Sequence, residues 1–146
     1  MTITITLLLP VVTALLLLCI PRNRTPLLRI TALCGSLATL AFSLVLLKDY
    51  DSSGESLFQF IEKHNWVPSL GISYHVGIDG ISLFLVILSA LLTPIAILCS
   101  WTSVGKRVRE FHIALLLLTS GVIGVFVALD LILFYVFWEV MLIPMY

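Results

Sequence analysis

Apolar residues fall into five long blocks along the chain, and the polar connections between them alternate between basic and acidic. The first block, 2–20, is broken by Pro10 and closed by Pro21, so a kinked first membrane helix is expected there. The second runs over 27–47, with Ala32 and Ser36 spaced by four, a pattern that lets a neighbouring helix approach closely. A third covers 81–101. It contains Pro94, which would free the Ala90 carbonyl, and Thr93 is expected to help compensate. The fourth, 111–129, places Ser120, Gly124 and Ala128 at intervals of four, widened by Gly121, as a face for tight helix contact. The fifth, 131–146, is separated from it by a single turn at Asp130, so the two should be antiparallel neighbours.

Between the second and third blocks lies the one long polar stretch, residues 48–77. Within it SLFQFIEKH reads as a short amphipathic helix, with Leu57, Phe60 and Ile61 on one face and Glu62 and Lys63 turned to water. WVPSLGISYHV reads as two short strands around a Pro/Gly turn, with Trp66 and Tyr74 suited to the membrane interface. Asp79 precedes the third block and is expected to cap its helix, its carboxylate accepting from the backbone N–H of Ile81 or Ser82.

Charge orients this plan. Arg22, Arg24 and Arg29 cluster after the first block and Lys106, Arg107 and Arg109 before the fourth, whereas Asp49, Asp51, Glu55 and Glu62 sit in the long loop. By the rule that basic loops stay inside, the N-terminus and the 48–77 loop face outside. No basic residue precedes the first block and no small-residue cleavage site follows it, so it reads as an uncleaved helix rather than a signal peptide.

Composition agrees: 60% hydrophobic, 11% charged, formal net charge zero, mean hydropathy +1.17. That balance excludes a soluble domain and carries no nucleic-acid footprint. Cys19, Cys34 and Cys99 have no metal-ligand spacing and read as small buried apolar residues. There is no dinucleotide or phosphate loop, no paired cysteine motif and no haem-ligand histidine pair, so no cofactor and no metal are expected. His112 is expected at the edge of the membrane, and His64 and His75 in the loop.

Against this apolar background one side chain stands out. Glu139 lies nine residues into the fifth block, roughly 13 Å along a helix and close to the middle of a hydrocarbon core about 30 Å thick. An ionised acid there costs at least about 3 kcal/mol, so it must meet protein, water or a cation, or hold a proton. Two readings stay open: a group in a proton or ion path, and an acid that bonds a neighbouring helix and helps packing. Tyr135, one turn earlier, shares its face and is a local partner for either. Pro144 bends the helix one turn past the acid, and polar residues beside helix irregularities recur in ion-handling proteins.

The stretches HVGIDGISLFLVILSALLTPIAILCSW (75–101) and DLILFYVFWEVMLIPMY (130–146) resemble the antiporter-like, proton-pumping subunits of respiratory complex I, nearest to the branch called chain M, or chain 4 in mitochondria. The similarity extends over the whole chain, with WEVMLIPMY and VGIDGISL its specific motifs and the first two blocks only generically alike. It implies a non-redox subunit of proton-translocating NADH:quinone reductase in the bacterial inner (plasma) or mitochondrial inner membrane, with its N-terminus on the periplasmic or intermembrane side. It further implies that Glu139 belongs to the membrane-embedded proton path and pairs with a lysine on a later, broken helix.

Such subunits have about fourteen spans built as inverted repeats, whereas this chain has five apolar blocks, the last shorter than the roughly 20 residues a span needs. The expectation is therefore an all-α integral membrane protein of about five transmembrane helices (2–20, 27–47, 81–101, 111–129 and 131–146) with a short outside helix and hairpin over 48–77. Residues 1–146 would form the N-terminal part of a larger antiporter-like bundle. Its expected partners are the lipid bilayer, the other complex I membrane-arm subunits and the chain or segment that continues it. The alternatives are a subunit of a multisubunit cation/proton antiporter or membrane-bound hydrogenase, and a purely structural or assembly fragment.

Overall fold

The computed structural model describes residues 1–51, 57–67 and 72–145. Among these residues five helices appear, α1 (Thr2–Cys19), α2 (Thr25–Asp49), α3 (Gly80–Cys99), α4 (Val108–Val127) and α5 (Leu131–Met145), with strands β1 (Gln59–Val67) and β2 (Ile72–Ile78) between α2 and α3. Four of the helices are long and apolar enough to cross a membrane. At 1.5 Å per residue α1, α3 and α4 reach about 27–30 Å and α2 about 37 Å, against about 22 Å for α5.

Helix α4 is the centre of the bundle, touching α1, α2, α3 and α5. Its small residues make this possible. A Cβ on Gly124 would lie 2.4 Å from the Phe137 ring of α5, and one on Gly121 would lie 2.8 Å from Met141 Cβ. Ser120, on the same stripe, turns to α1 and donates to the Leu7 carbonyl at 2.8 Å. The stripe therefore serves two neighbours rather than one. Ala128, expected to extend it, is the residue after the last turn and bridges to Val76 of β2. Between α1 and α2 there is a close approach at Gly35, where a Cβ would overlap Thr13. Ala32 and Ser36, the pair expected to mark that contact, are both buried beside it.

Hydroxyls inside the spans close onto their own helices, because lipid offers them no partner. Thr6, Thr13, Thr39, Ser89, Thr93 and Thr119 each donate to the carbonyl four residues back. Thr93 differs from expectation. Its hydroxyl donates to the Ser89 carbonyl at 2.9 Å and comes within 2.8 Å of Thr119 Oγ1 at the contact of α3 with α4, and it is not bonded to the Ala90 carbonyl freed by Pro94.

Among the described residues the segment between α2 and α3 forms a two-stranded antiparallel sheet. The amphipathic helix expected over SLFQFIEKH does not form among the described residues; Gln59 to Val67 is strand. β-branched and aromatic residues in this stretch gain a full ladder against β2, which outweighs a weak helical periodicity. The ladder slips between the Gln59–Ile78 and Glu62–Val76 pairs, and Phe60 takes φ 55 at that bulge. The bulge re-aims the strand. Glu62, expected to face water, is 8% exposed, while Leu57 and Ile61, expected on the apolar face, are 75% and 55% exposed. The Pro/Gly turn at 68–71 lies outside the described residues.

Two cores divide the bundle. Ile3, Leu7, Leu46, Val86, Ile123 and Val127 pack with Val76 and Ile78 of the hairpin at one end. Ala14, Leu17, Leu28, Ala32, Ile97 and Leu116 pack at the other. The second end carries the basic loops, tied together by Arg22 to Glu110 at 3.0 Å and by Arg29 Nη2 donating to the Val104 carbonyl at 3.0 Å. Basic loops and hairpin thus lie at opposite ends. Cys19, Cys34 and Cys99 are exposed on the outer surface, not buried as expected; in a membrane chain an apolar position is as readily on the lipid face as in the core.

Candidate functional site

Helix α5 begins at Asp130, whose Oδ1 accepts from the Ile132 and Leu133 backbone N–H groups at 2.9 and 3.3 Å. Its Oδ2 accepts from the Ser73 backbone N–H and hydroxyl, both at 3.3 Å, tying the start of the helix to β2. These bonds, the Leu133 one first, hold the Asp130 carboxyl below the usual aspartate range. A second cap fixes α3. Asp79 Oδ1 accepts from Ser82 N at 2.7 Å, and Ser82 Oγ accepts from Asp79 N at 2.9 Å. This reciprocal box, the Ser82 backbone bond above all, lowers the Asp79 pKa.

With its start fixed, α5 has one rotation. Leu133 is buried, and Phe137 and Met141 lie against Gly124 and Gly121. Residues four apart share a face and residues two apart lie on opposite faces of a helix. Glu139 stands between Phe137 and Met141 in sequence and therefore points away from α4. It is exposed on this chain. The burial expected from its depth in an apolar run is not supplied by α1–α4; the seam with α4 consumes the other side of the helix. Tyr135, 61% exposed, is within hydrogen-bonding reach of the Glu139 carboxylate.

Around the acid the outward stripe is continuous: Ile132, Tyr135, Trp138, Leu142 and Ile143 are all exposed. The spacing is that of a helix-packing face, and it carries one ionisable group at its centre. Among the described residues no lysine, arginine or histidine forms an ion pair with Glu139.

Two further groups escaped the sequence reading. Glu62 is buried at the hairpin end, ion-paired with the Met1 ammonium at 2.6 Å and accepting a short hydrogen bond from Thr4, which also lies 2.9 Å from the Tyr74 hydroxyl. Burial pushes the Glu62 carboxyl up, but the bonds from the ammonium and Thr4 outweigh it and leave it below its ordinary value. Tyr74 is raised, chiefly by burial. No spacing rule pairs residues 4, 62 and 74. His112, near the arginine-rich start of α4, is fully buried by its neighbours, with Nδ1 bonded to the Val108 carbonyl at 2.7 Å and Nε2 without a partner among the described residues. A signal for it existed: with Leu116, Ser120 and Gly124 it continues the i, i+4 stripe of α4 by one turn.

Comparison with known proteins gives this geometry a setting. Residues 53–125 match the family model described as NADH-ubiquinone oxidoreductase chain 4, amino terminus. NADH-ubiquinone oxidoreductase chain 4 of Arabidopsis thaliana is 47% identical over 137 residues, covering 94% of this chain and 28% of its own length. The F(420)H(2) dehydrogenase subunit M of Methanosarcina mazei is 44% identical over 112 residues, covering 77% of this chain and 22% of its own. Among solved structures, respiratory complex I from Thermus thermophilus with bound NADH contains a chain that superposes with a TM-score of 0.78 at 28% identity, over 99% of this chain and 27% of that one. The chain thus spans less than a third of the length of each relative.

Proposed function

The chain belongs to the family of NADH-ubiquinone oxidoreductase chain 4, whose amino terminus it matches, and from that premise we propose that it forms the N-terminal membrane part of a proton-translocating subunit of NADH:quinone oxidoreductase, in the bacterial inner or mitochondrial inner membrane. One observation carries the reading. The acid in the middle of α5 faces away from its own bundle, on a stripe shaped to pack against another helix, so its charge is set by a group outside α1–α5.

In this reading Glu139 is the proton-transfer residue. A cation brought to the outward face of α5 draws the carboxylate form, its withdrawal leaves an acid in an apolar surround, and the proton is taken up again. Tyr135 steadies the carboxylate in either state. The caps at Asp79 and Asp130 and the glycine seam hold α5 in register while the partner moves. The subunit contributes no redox chemistry of its own, and its partners are the other membrane-arm subunits and the segment that completes the Glu139 face. The basic loops support an orientation with the arginine-rich end in the cytoplasm or matrix and the N-terminus outside.

The similarity to the Methanosarcina mazei dehydrogenase subunit favours a second reading, in which the same membrane module is driven by a different electron donor. Purification of the native complex through a tag on this protein discriminates the two. NADH:quinone reductase activity in the purified material is expected, and membranes containing it should take up protons when NADH is added. A complex that oxidises a reduced deazaflavin and not NADH supports the second reading, and a preparation with no redox subunits overturns both.

A further inference from the structure

At the arginine-rich end, α2 and α4 begin side by side, and neither has a side-chain cap on its first turn. Between them opens a cavity of about 450 Å³ lined by Arg22, Thr25, Arg107, Arg109 and Glu110. Three arginines against one carboxylate leave it net positive, and the uncapped N–H groups add donors. Arg107 is the residue before α4 and holds a left-handed conformation, φ 53 and ψ 38, that a non-glycine residue adopts only under constraint. Arg109 is poorly satisfied by the protein. Its Nε is buried without a partner among the described residues, and its Nη1 reaches only the Leu18 carbonyl at 3.5 Å. Donors in this state call for an acceptor-rich anion.

A second cavity, about 360 Å³, shares Arg22, Arg109 and Glu110 with the first and is otherwise apolar, running past Leu18, Ile113 and Leu117 to Ile143. The two together form one site with a cationic mouth at the membrane surface and an apolar groove leading down between α1, α4 and α5. A soluble anion would use the mouth and leave the groove empty, and an apolar helix would fill the groove and leave the arginines unanswered. We propose that this is a binding site for an anionic phospholipid, its phosphodiester held by Arg22 and Arg109 with Arg107 at the rim, and one acyl chain lying in the groove. Such a lipid would run along α4 and meet α5 at Ile143 and Pro144, one turn beyond Glu139.

The test uses the complex purified through a tag on this protein, delipidated mildly and exposed to a phosphatidylglycerol carrying a photoactivatable acyl chain. Labelling is expected on the 109–117 and 140–144 peptides. It should fall about tenfold in Arg22→Gln/Arg109→Gln, remain in Arg24→Gln, whose side chain does not line the cavity, and resist competition by inorganic phosphate at matched ionic strength. Equal labelling by a phosphatidylcholine probe would refute the headgroup assignment, and displacement by phosphate alone would reduce the site to one for free anions. Labelling absent in the wild-type complex, with a neighbouring polypeptide crosslinked to Ile113 instead, would show that protein fills the groove. Should the double variant not assemble, the contrast between anionic and zwitterionic probes on the wild type decides the matter alone.

Discussion

Gly124→Ala separates a packing argument from a propensity argument, because the two predict opposite signs. Alanine is favoured over glycine in a helix by about 1 kcal/mol, and a helix judged alone would be strengthened. In the bundle the new Cβ would stand 2.4 Å from Phe137 Cγ and Cδ1 and 2.7 Å from Cε1. Ordinary carbon contacts are about 3.5–4.0 Å, so the ring or the whole of α5 must retreat by roughly 1–1.5 Å. Overpacking of this kind costs about 1–3 kcal/mol, leaving a net loss of up to about 2 kcal/mol. Phe137→Ala removes every atom in conflict. In that background Gly124→Ala should stabilise by up to about 1 kcal/mol, a reversal of sign and a coupling of about 1–3 kcal/mol across the cycle. The assay is the denaturation midpoint of the full-length protein in mild detergent for the four variants of the cycle. A Gly124→Ala protein at least as stable as wild type, or a double variant whose effects add, would refute the seam between α4 and α5 on which the orientation of Glu139 rests.

Other consequences are nearer the surface. Asp79→Ala removes the side-chain bond of the capping box, from Ser82 N to the Asp79 carboxylate, while leaving the backbone bond to Ser82 Oγ, and should cost about 1 kcal/mol in the same assay, with Asp79→Asn milder; equal losses for the two would show that the charge and not the bond matters. Glu62 has a folded-state pKa below its ordinary value, so its stabilising contribution is present at neutral pH and is lost as pH falls through that lowered value. Spin labels at Ile5 and Lys63 should therefore move apart on acidification in wild type but show no such transition in Glu62→Gln, and an identical pH profile for both proteins would remove Glu62 from the account. For topology, single cysteines at Asn65 and Ser103 are introduced after replacing Cys19, Cys34 and Cys99 by serine. An impermeant thiol reagent added outside should label Asn65 and miss Ser103; the reverse pattern inverts the orientation.

Helix positions were legible because hydrophobic blocks bounded by charge and proline leave little freedom in a membrane, and the Asp79 cap because its partner is three residues away. The hairpin was half legible. Its strand character over Gln59–Val67 comes from pairing with residues 72–78, and pairing partners leave no local trace in SLFQFIEKH. Glu139 was found by depth, but its direction was not readable, since α5 is apolar on all sides and has no polar face to show its rotation. That rotation is set by Gly121 and Gly124 on the neighbouring helix, and the glycines reveal that something approaches closely without naming Phe137 and Met141 as what does. The cysteines and His112 fail for the same reason. In a lipid solvent apolar character no longer sorts inside from outside, so Cys34 lies exposed while a histidine is fully enclosed.

The measurement that bears most directly on the central claim is proton uptake set against NADH:quinone turnover in membranes carrying the complete complex with Glu139→Gln, which keeps the side chain's shape and abolishes its charge change, and with Glu139→Asp as the conservative partner. The account predicts normal assembly in both, a coupled proton uptake that falls at least about tenfold in the Gln form, as general acid–base contributions do, and partial retention in the Asp form. Proton uptake and turnover at wild-type rates in an assembled Glu139→Gln complex would make Glu139 a packing residue and contradict the proton-path reading.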